Sequence, residues 1–212
     1  MKTRNFLFTS LLALASTVAA NAQTFDIDML KAQPVYSAEK GLGYDILAAP
    51  KAKSNAPFFY SVKVADGNYK VTVVLGSKKK AGKTVVRAEN RRLMLDEVST
   101  RKGEFKTFSF IVNKRSPYIT DKMNVKIKPR EKETFTWDEK LTLEFTGAAP
   151  AVKSIKVEPA PAETTTVFLC GNSTVVDQFT EPYASWGQMV TRWFGPEVAI
   201  SNHAESGLTA GS

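Results

Sequence analysis

Between residues 58 and 145 the sequence repeats one pattern, in which short runs of alternating apolar and polar residues are separated by Lys-, Gly-, Ser- and Pro-rich turns. Two of these runs are joined by Asp66-Gly67, a dipeptide typical of β-hairpin turns. The runs cover residues 58–64, 69–76, 83–89, 91–98, 105–112, 124–129 and 140–145, with a last one at 152–157. Seven or eight such strands, without a convincing helical stretch between them, predict an antiparallel β-sandwich of the jelly-roll kind.

One run indicates which side chains the pattern assigns to the core. In residues 105–112, three apolar side chains share one face: Phe108, Phe110 and Val112. Ile111 lies on the opposite face. Because successive side chains of a strand point to opposite faces of the sheet, the first face is predicted to be buried and the second exposed.

The segments between the predicted strands define no binding site. Residues 41–45, Gly-Leu-Gly-Tyr-Asp, are predicted to be a loop that leads into the sheet. Aromatic side chains can stack on sugars, although packing in a core or rim is their commoner role. The candidates are Tyr36, Tyr44, Tyr118 and Trp137. No residues have metal-ligand spacing, so neither a metal nor a cofactor is predicted, and substrate-binding residues remain unassigned.

A proline-rich segment marks the predicted end of the sandwich domain, residues 23–158. Pro159 and Pro161 restrict the backbone at alternate positions, which favours an extended linker over residues 159–164. Beyond it, residues 165–212 follow a different pattern and are predicted to form a second domain.

The second pattern predicts the first βαβ portion of an α/β domain. Residues 167–170, Val-Phe-Leu-Cys, form a continuous apolar run, as expected of a strand buried on both faces of a parallel sheet, with Cys170 packed as a small hydrophobic residue. Residues 184–194 predict an amphipathic helix, and residues 198–200 a second strand. The apolar face of that helix is predicted to carry Trp186, Met189, Val190 and Trp193.

The first 22 residues are predicted to be a secretory signal peptide. Lys2 and Arg4 precede an apolar stretch, and Ala20-Asn21-Ala22 offers a small-residue cleavage site. The apolar stretch is too short to span a bilayer, and no later stretch is long and apolar enough. The mature protein is therefore expected to be exported, to the periplasm or beyond. Since the chain has a single cysteine, no internal disulfide can form.

Charge is divided unequally between the two predicted domains. Residues 165–212 contain one basic and four acidic residues, a net charge of −3. Because the whole chain carries +8, the preceding part carries +11. A basic exported protein can bind anionic partners, although lysines on strand edges also protect against aggregation. Interleaved aromatic stacking motifs and a basic amphipathic helix are lacking, which argues against nucleic acid and membrane surfaces.

Two polar loops follow the two predicted parallel strands and should open at the same edge of the sheet. They cover residues 171–178 and 202–207. A serine attacks an acyl carbon once a base removes its proton, and backbone N–H groups stabilise the resulting oxyanion. Ser173 follows the first strand at a glycine turn, and Gly207 lets a second N–H approach. Such serines are also common as helix caps or turn residues, so local chemistry leaves both roles open.

Three stretches, VFLCGNSTVVDQ, SWGQM and SNHAESGLT, resemble the GDSL/SGNH hydrolases in order and spacing. Within these they look like the rhamnogalacturonan acetylesterase branch, which removes acetyl groups from pectin. The resemblance implies that Ser173 is the nucleophile and an oxyanion N–H donor, and that Gly207 supplies a second oxyanion N–H. The preceding sequence, with DGNYKVTVVLG and ENRRLMLDEV, resembles the galactose-binding-like jelly roll that precedes this domain in some bacterial members.

The sequence departs from the family pattern in two places. Asn172 replaces the usual aspartate of the first block, a change that should be tolerated if that residue only orients the turn. The family's third block, with an oxyanion asparagine, and its late D-x-x-H block have no counterpart. His203 is the sole histidine and is expected to pack in its loop or at a substrate rim. These 212 residues are therefore expected to be an incomplete esterase, inactive alone.

Two hypotheses follow from the sequence. The first is an exported serine carbohydrate esterase that deacetylates an anionic plant polysaccharide such as rhamnogalacturonan. The alternative is a carbohydrate-binding β-sandwich with a non-catalytic remnant behind it.

Overall fold

The computed structural model describes residues 23–46, 55–124, 127–132 and 134–209; the predicted signal peptide lies outside these ranges. The strands are β1 Phe25–Asp28, β2 Leu42–Asp45, β3 Phe58–Lys63, β4 Gly67–Gly76, β5 Gly82–Ala88, β6 Arg92–Thr100, β7 Phe105–Lys114, β8 Tyr118–Thr120, β9 Met123–Asn124, β10 Lys140–Ala149, β11 Val152–Pro159, β12 Thr165–Leu169 and β13 Val198–Asn202. The helices are α1 Trp186–Met189 and two 3₁₀ turns, Pro129–Glu131 and Val190–Trp193.

Two antiparallel sheets form the predicted β-sandwich. One has the strand order β1-β11-β4-β7 and the other the order β2-β3-β10-β5-β6. Side chains from both sheets meet in one core, which includes Val71 and Val73 of β4 and Leu141 and Leu143 of β10, all at most 1% exposed. Burial of these side chains is the main stabilising contribution, about 1.5–3 kcal/mol each.

Strand β7 confirms the buried face and corrects the exposed one. Phe110 and Val112 lie in the sandwich core, and Phe108 packs against it. Ile111, predicted to be exposed, is also buried, at 3% exposure, but it is not part of that core. The reason is that β13 packs against β7, so the outer face of this strand is covered by the second part of the chain.

Two expectations about the smaller elements are wrong. Residues 41–45 contain a strand rather than a loop, because β2 pairs with β3 and buries Tyr44. Gly43 has a φ of 148°, and a Cβ there would lie 2.5 Å from the backbone nitrogen of Tyr36, so glycine allows the two segments to pass closely. Of the strand predicted over residues 124–129, Asn124 ends β9 and residues 125–126 lie outside the described ranges. Residues 127–129 are not a strand, and Pro129 begins the 3₁₀ turn Pro129–Glu131 because proline favours a helical start.

Strands β12 and β13 form the predicted parallel pair, in the register Thr165↔Val198 to Leu169↔Asn202. The expectation that residues 167–170 are buried on both faces is wrong within the described ranges. Phe168 is 65% exposed, and Cys170 is exposed rather than packed. The physical reason is that, among the described strands, only β13 pairs with β12. Assignment of this pair to an SGNH-type α/β domain stays a prediction.

The helix is shorter than residues 184–194 and presents the opposite face to the core. Trp186 and Trp193 are 54% and 74% exposed, whereas Gln188 and Thr191 are buried. Gln188 Nε2 donates to the backbone oxygen of Asn90 at 2.8 Å, and Thr191 Oγ1 donates to that of Leu93 at 2.6 Å. Polar side chains therefore bind this segment to β6 and the turn before it, which a reading of apolar spacing cannot anticipate.

Within the described ranges, none of the helices is long and apolar enough to cross a membrane. In the same part of the chain no three His, Cys, Asp or Glu side chains are grouped so as to hold a metal ion.

Candidate functional site

The turn after β12 is ordered by Asn172. Its Oδ1 accepts hydrogen bonds from the Thr174 backbone N–H at 3.1 Å and from Thr174 Oγ1 at 3.0 Å, and its carbonyl accepts from Val175 N at 2.9 Å. Ser173, between them, is exposed at the outside of the turn. An amide oxygen is sufficient for this ordering, so asparagine can replace an aspartate that only orients the turn.

The loop after β13 lies beside this turn. His203 N donates to the Leu169 oxygen at 2.7 Å, and Glu205 N donates to the Gly171 oxygen at 3.0 Å. Gly207 is exposed and has a φ of 90°, a conformation that glycine adopts without strain. The two loops therefore share one edge of the parallel pair. The catalytic roles of Ser173 and Gly207 stay predictions.

The side chain of His203 contacts Ser201 and Phe168. Its Nε2 lies 2.8 Å from Ser201 Oγ, and its ring centroid is 5.7 Å from that of Phe168. Burial of part of the ring lowers the pKa of His203, and the positive charges of Arg115 and Arg92 lower it further. His203 is also one of the residues that line a cavity.

A buried ion pair joins the sandwich to the second part of the chain. Arg92 Nε of β6 lies 2.6 Å from Asp177 Oδ2, and their side chains are only 2% and 3% exposed. Asn202 Nδ2 donates to Asp177 Oδ1 at 2.7 Å and to the Val175 oxygen at 2.6 Å. Each carboxylate oxygen of Asp177 thereby has one close partner, Arg92 on Oδ2 and Asn202 on Oδ1.

A cavity of about 650 Å³ lies between the sandwich and the second part of the chain. Its walls combine aromatic rings with polar side chains from both parts of the chain, which is the composition of small-molecule binding sites. The rings are those of Trp137, Phe179, Tyr183 and His203, and the polar groups include Asn90, Arg115, Thr136 and Gln178. Gln178 also donates from Nε2 to the backbone carbonyl oxygen of Ser173 at 3.3 Å, so the cavity adjoins the serine turn.

Several polar atoms of the cavity wall are buried without a partner. Asn90 Oδ1, Thr136 Oγ1, and Nε and Nη1 of Arg115 have no hydrogen-bond partner among the described residues. Buried polar groups are normally hydrogen-bonded, so these four unpaired atoms are exceptions among the residues that line the cavity.

Sequence reasoning missed this cavity. Trp137 was one of four aromatic candidates for sugar contact, but Asn90 and Arg115 carried no signal, because their chemistry depends on neighbours far away in the chain. Of the other candidates, Tyr44 is buried in the sandwich and Tyr118 is 74% exposed. A polar residue gains significance here only through burial, which a single sequence does not reveal.

No protein-family model matches the chain, and no curated protein matches it. Among solved structures, it is similar to the protein YXIM of Bacillus subtilis, at 20% identity and a TM-score of 0.39, over 89% of this chain and 56% of that one. The chain thus spans about half the length of that protein. It is also similar to a family 35 carbohydrate-binding module from Clostridium thermocellum, at 10% identity and a TM-score of 0.33, over 66% of this chain and 100% of the module.

A third similar structure is the family 35 carbohydrate-binding module of Abf62 from Cellvibrio japonicus, at 11% identity and a TM-score of 0.33, over 64% of this chain and 92% of the module. All three TM-scores lie below 0.5, so the likeness assigns neither a fold family nor a function to this chain.

Proposed function

We propose that the protein binds carbohydrate in the cavity between the sandwich and the parallel strand pair. The observation that carries this proposal is the cavity wall, which combines the aromatic residues Trp137, Phe179 and Tyr183 with polar residues such as Gln178. Sugars present an apolar ring face to an aromatic side chain and hydroxyl groups to acceptors and donors around it.

A binding measurement with matched variants tests this proposal. The protein is titrated calorimetrically with rhamnogalacturonan oligosaccharides, and Trp137→Ala is expected to weaken binding at least tenfold because it removes the stacking surface. The control is Tyr118→Ala, since Tyr118 is 74% exposed and is not part of the cavity wall. Equal loss in both variants, or no binding by the unchanged protein, would reject the cavity as the sugar site.

A second candidate function is deacetylation of the bound polysaccharide, with Ser173 as nucleophile. Asn172 holds the turn so that Ser173 is exposed, and the neighbouring loop, which carries Gly207, is held to this turn by the Glu205–Gly171 hydrogen bond. This arrangement supports the motif resemblance. His203, the sole histidine of the 212 residues, is hydrogen-bonded through Nε2 to Ser201, so we assign no base to Ser173.

Acetate release from acetylated rhamnogalacturonan tests this second proposal. In a gene product that continues through a D-x-x-H block, Ser173→Ala is expected to abolish release, while Ser116→Ala, on the sandwich, leaves it unchanged. The 212 residues alone are expected to release none. Release by the 212-residue chain that Ser173→Ala abolishes would place the base within it. Unchanged release in the longer Ser173→Ala variant would reject this nucleophile.

A further inference from the structure

Two basic loops meet at one end of the sandwich. The β4–β5 loop covers residues 77–81, Ser-Lys-Lys-Lys-Ala, and the β6–β7 loop covers residues 101–104, Arg-Lys-Gly-Glu. Gly103 N donates to the Ser77 oxygen at 2.8 Å, so the loops are in direct contact although two strands separate them in the chain. We call these two loops the basic tip, because they carry five basic residues and one acidic residue, a net charge of +4.

Most of the positive charge of the basic tip is exposed and unpaired. Four of its basic residues are exposed: Lys78, Lys79, Arg101 and Lys102. In the described part of the chain, none of these four side chains forms an ion pair with a carboxylate. Glu104, the acidic residue of the tip, lies 3.5 Å from Lys106 Nζ of β7. Because like charges are concentrated here, the potential around the tip is positive and attracts anions.

The basic tip lies at the opposite end of the sandwich from the cavity. In the β4–β7 pair, Gly76 lies opposite Phe105 beside the tip, and Gly67 lies opposite Lys114 at the other end. Arg115, which follows Lys114, is one of the residues that line the cavity. The ten residues of β4 separate the two ends by roughly 30 Å, at about 3.3 Å per residue. A partner bound at the tip therefore leaves the cavity open.

The basic tip offers charge without a stacking surface. Neither loop contains an aromatic residue, so a nucleic-acid base or a sugar ring has no aromatic side chain of these loops to stack on. An array of anionic headgroups needs no such surface, since each ammonium or guanidinium group can contact a different headgroup. Clusters of about four to eight basic residues beside a bilayer bind anionic lipids in this way.

We propose that the exported protein binds a membrane surface rich in anionic lipid headgroups through its basic tip, with the cavity at the end away from the bilayer. The sequence argues against a membrane surface only in lacking one basic amphipathic helix, whereas the basic tip is assembled from two separate loops. This surface is distinct from the cavity, and its role does not depend on carbohydrate binding.

Co-sedimentation with lipid vesicles tests this proposal. The chain is used without the predicted signal peptide, residues 1–22, because an apolar leader would itself favour lipid and the described strands begin at Phe25. Vesicles of equal parts phosphatidylcholine and phosphatidylglycerol are compared with vesicles of phosphatidylcholine alone. At about 0.1 M salt the protein is expected to bind the mixed vesicles at least about tenfold more tightly. At about 1 M salt this binding should be lost, because the Debye length falls from about 10 Å to about 3 Å.

Charge-removing variants locate the contact. Lys78→Gln combined with Lys79→Gln, and Arg101→Gln combined with Lys102→Gln, are each expected to weaken binding to the mixed vesicles about ten- to thirtyfold. The reason is that each basic residue beside an anionic surface contributes about fivefold to the affinity. Since the loops act as one surface, both double variants should lose affinity to a similar extent.

The matched control is Lys122→Gln combined with Lys132→Gln. This variant removes the same charge from two exposed residues of the connection between β7 and β10, which also supplies Trp137 to the cavity. It is expected to weaken vesicle binding less than about threefold, because these residues lie outside the basic tip. Circular dichroism checks that every variant is folded.

Three results would overturn the proposal. Absence of binding to the mixed vesicles, or equal binding to both kinds of vesicle, would reject an anionic membrane as the partner. A loss in the control as large as that in the tip variants would show that net charge, rather than the basic tip, attracts the protein. Binding to soluble polygalacturonate that the tip variants lose, without binding to vesicles, would assign the tip to an acidic polymer instead.

Discussion

At the scale of single residues, Glu89 combines two unusual properties. It is 3% exposed, and its φ of 53° lies in the left-handed region. Oε1 accepts a hydrogen bond from the Thr142 backbone N–H at 2.9 Å, while Oε2 has no partner in the described ranges. Burial raises the pKa of Glu89 from 4.5 to about 8, although the charge of Arg92 and the Thr142 N–H both favour the ionised form.

This raised pKa predicts a pH dependence of stability. The folded protein retains the Glu89 proton up to about pH 8, whereas the unfolded chain loses it near 4.5. The contribution of protonated Glu89 to the free energy of unfolding is therefore fully present below pH 4.5. It is lost as the pH rises towards 8, at up to about 1.4 kcal/mol per pH unit. Glu89→Gln should remove this slope. Urea unfolding from pH 5 to 8.5 measures it, and parallel curves for both proteins would show that Glu89 does not titrate in this way.

At the scale of elements, α1 packs closely on the serine turn. A Cβ on Gly187 would lie 2.2 Å from the Val175 backbone oxygen and 3.0 Å from Asn202 Nδ2. Because Asn202 also donates to that same oxygen, neither group can withdraw without breaking a hydrogen bond. The helix, the turn and the end of β13 thus form one rigid junction.

Gly187→Ala is therefore expected to lower the free energy of unfolding by about 1–3 kcal/mol, the usual cost of overpacking. Gly195→Ala is the matched control. A Cβ there would meet only the carboxylate of Glu197, at 2.5 Å, and this exposed side chain can rotate away. Urea denaturation of both variants measures the difference. A cost for Gly195→Ala as large as that for Gly187→Ala would contradict the proposed junction.

The sequence predicted the elements whose pattern is set within one strand. β4 and β10 were expected because half of each strand faces the sandwich core and alternation reports this directly. β2 was missed since four residues with a central glycine are too few to show a period. The helix face was assigned wrongly because Gln188 and Thr191 are buried by hydrogen bonds to the sandwich rather than by apolar contact.

The candidate site, like the fold, could be predicted from the sequence only in part. The turn that carries Ser173 follows from a local motif, and the meeting of two loops at one edge follows from parallel pairing. The cavity could not be predicted, because Asn90, Arg115, Trp137 and His203 come from separate segments that meet only in three dimensions.

At the scale of the whole molecule, ion pairs connect the sandwich to the residues that follow it. The pair Arg92–Asp177 is buried, whereas Glu181, which lies 3.0 Å from Arg87 Nη1 and 3.2 Å from Arg91 Nη2, has a side chain 64% exposed. Removal of one partner of a buried pair leaves the other charge without compensation, while an exposed pair is replaced by water.

Asp177→Ala is accordingly expected to lower the free energy of unfolding by about 3–5 kcal/mol, and Glu181→Ala by at most about 1 kcal/mol. Both acidic residues belong to the same segment and face arginines of the sandwich, so the comparison isolates burial. Chemical denaturation followed by tryptophan fluorescence measures both variants. Equal losses of unfolding free energy in the two variants would mean that burial of the Arg92–Asp177 pair adds little to its stabilising effect.

The neighbour of β1 in its sheet is β11, with Phe25 paired to Val157. The sheet therefore remains incomplete during synthesis until nearly the entire sandwich has left the ribosome. Pairing of such distant segments is slow, because much chain entropy is lost before the contact forms. The edge strand β1 can therefore take its place in the sheet only after β11 is available, although β1 is made first.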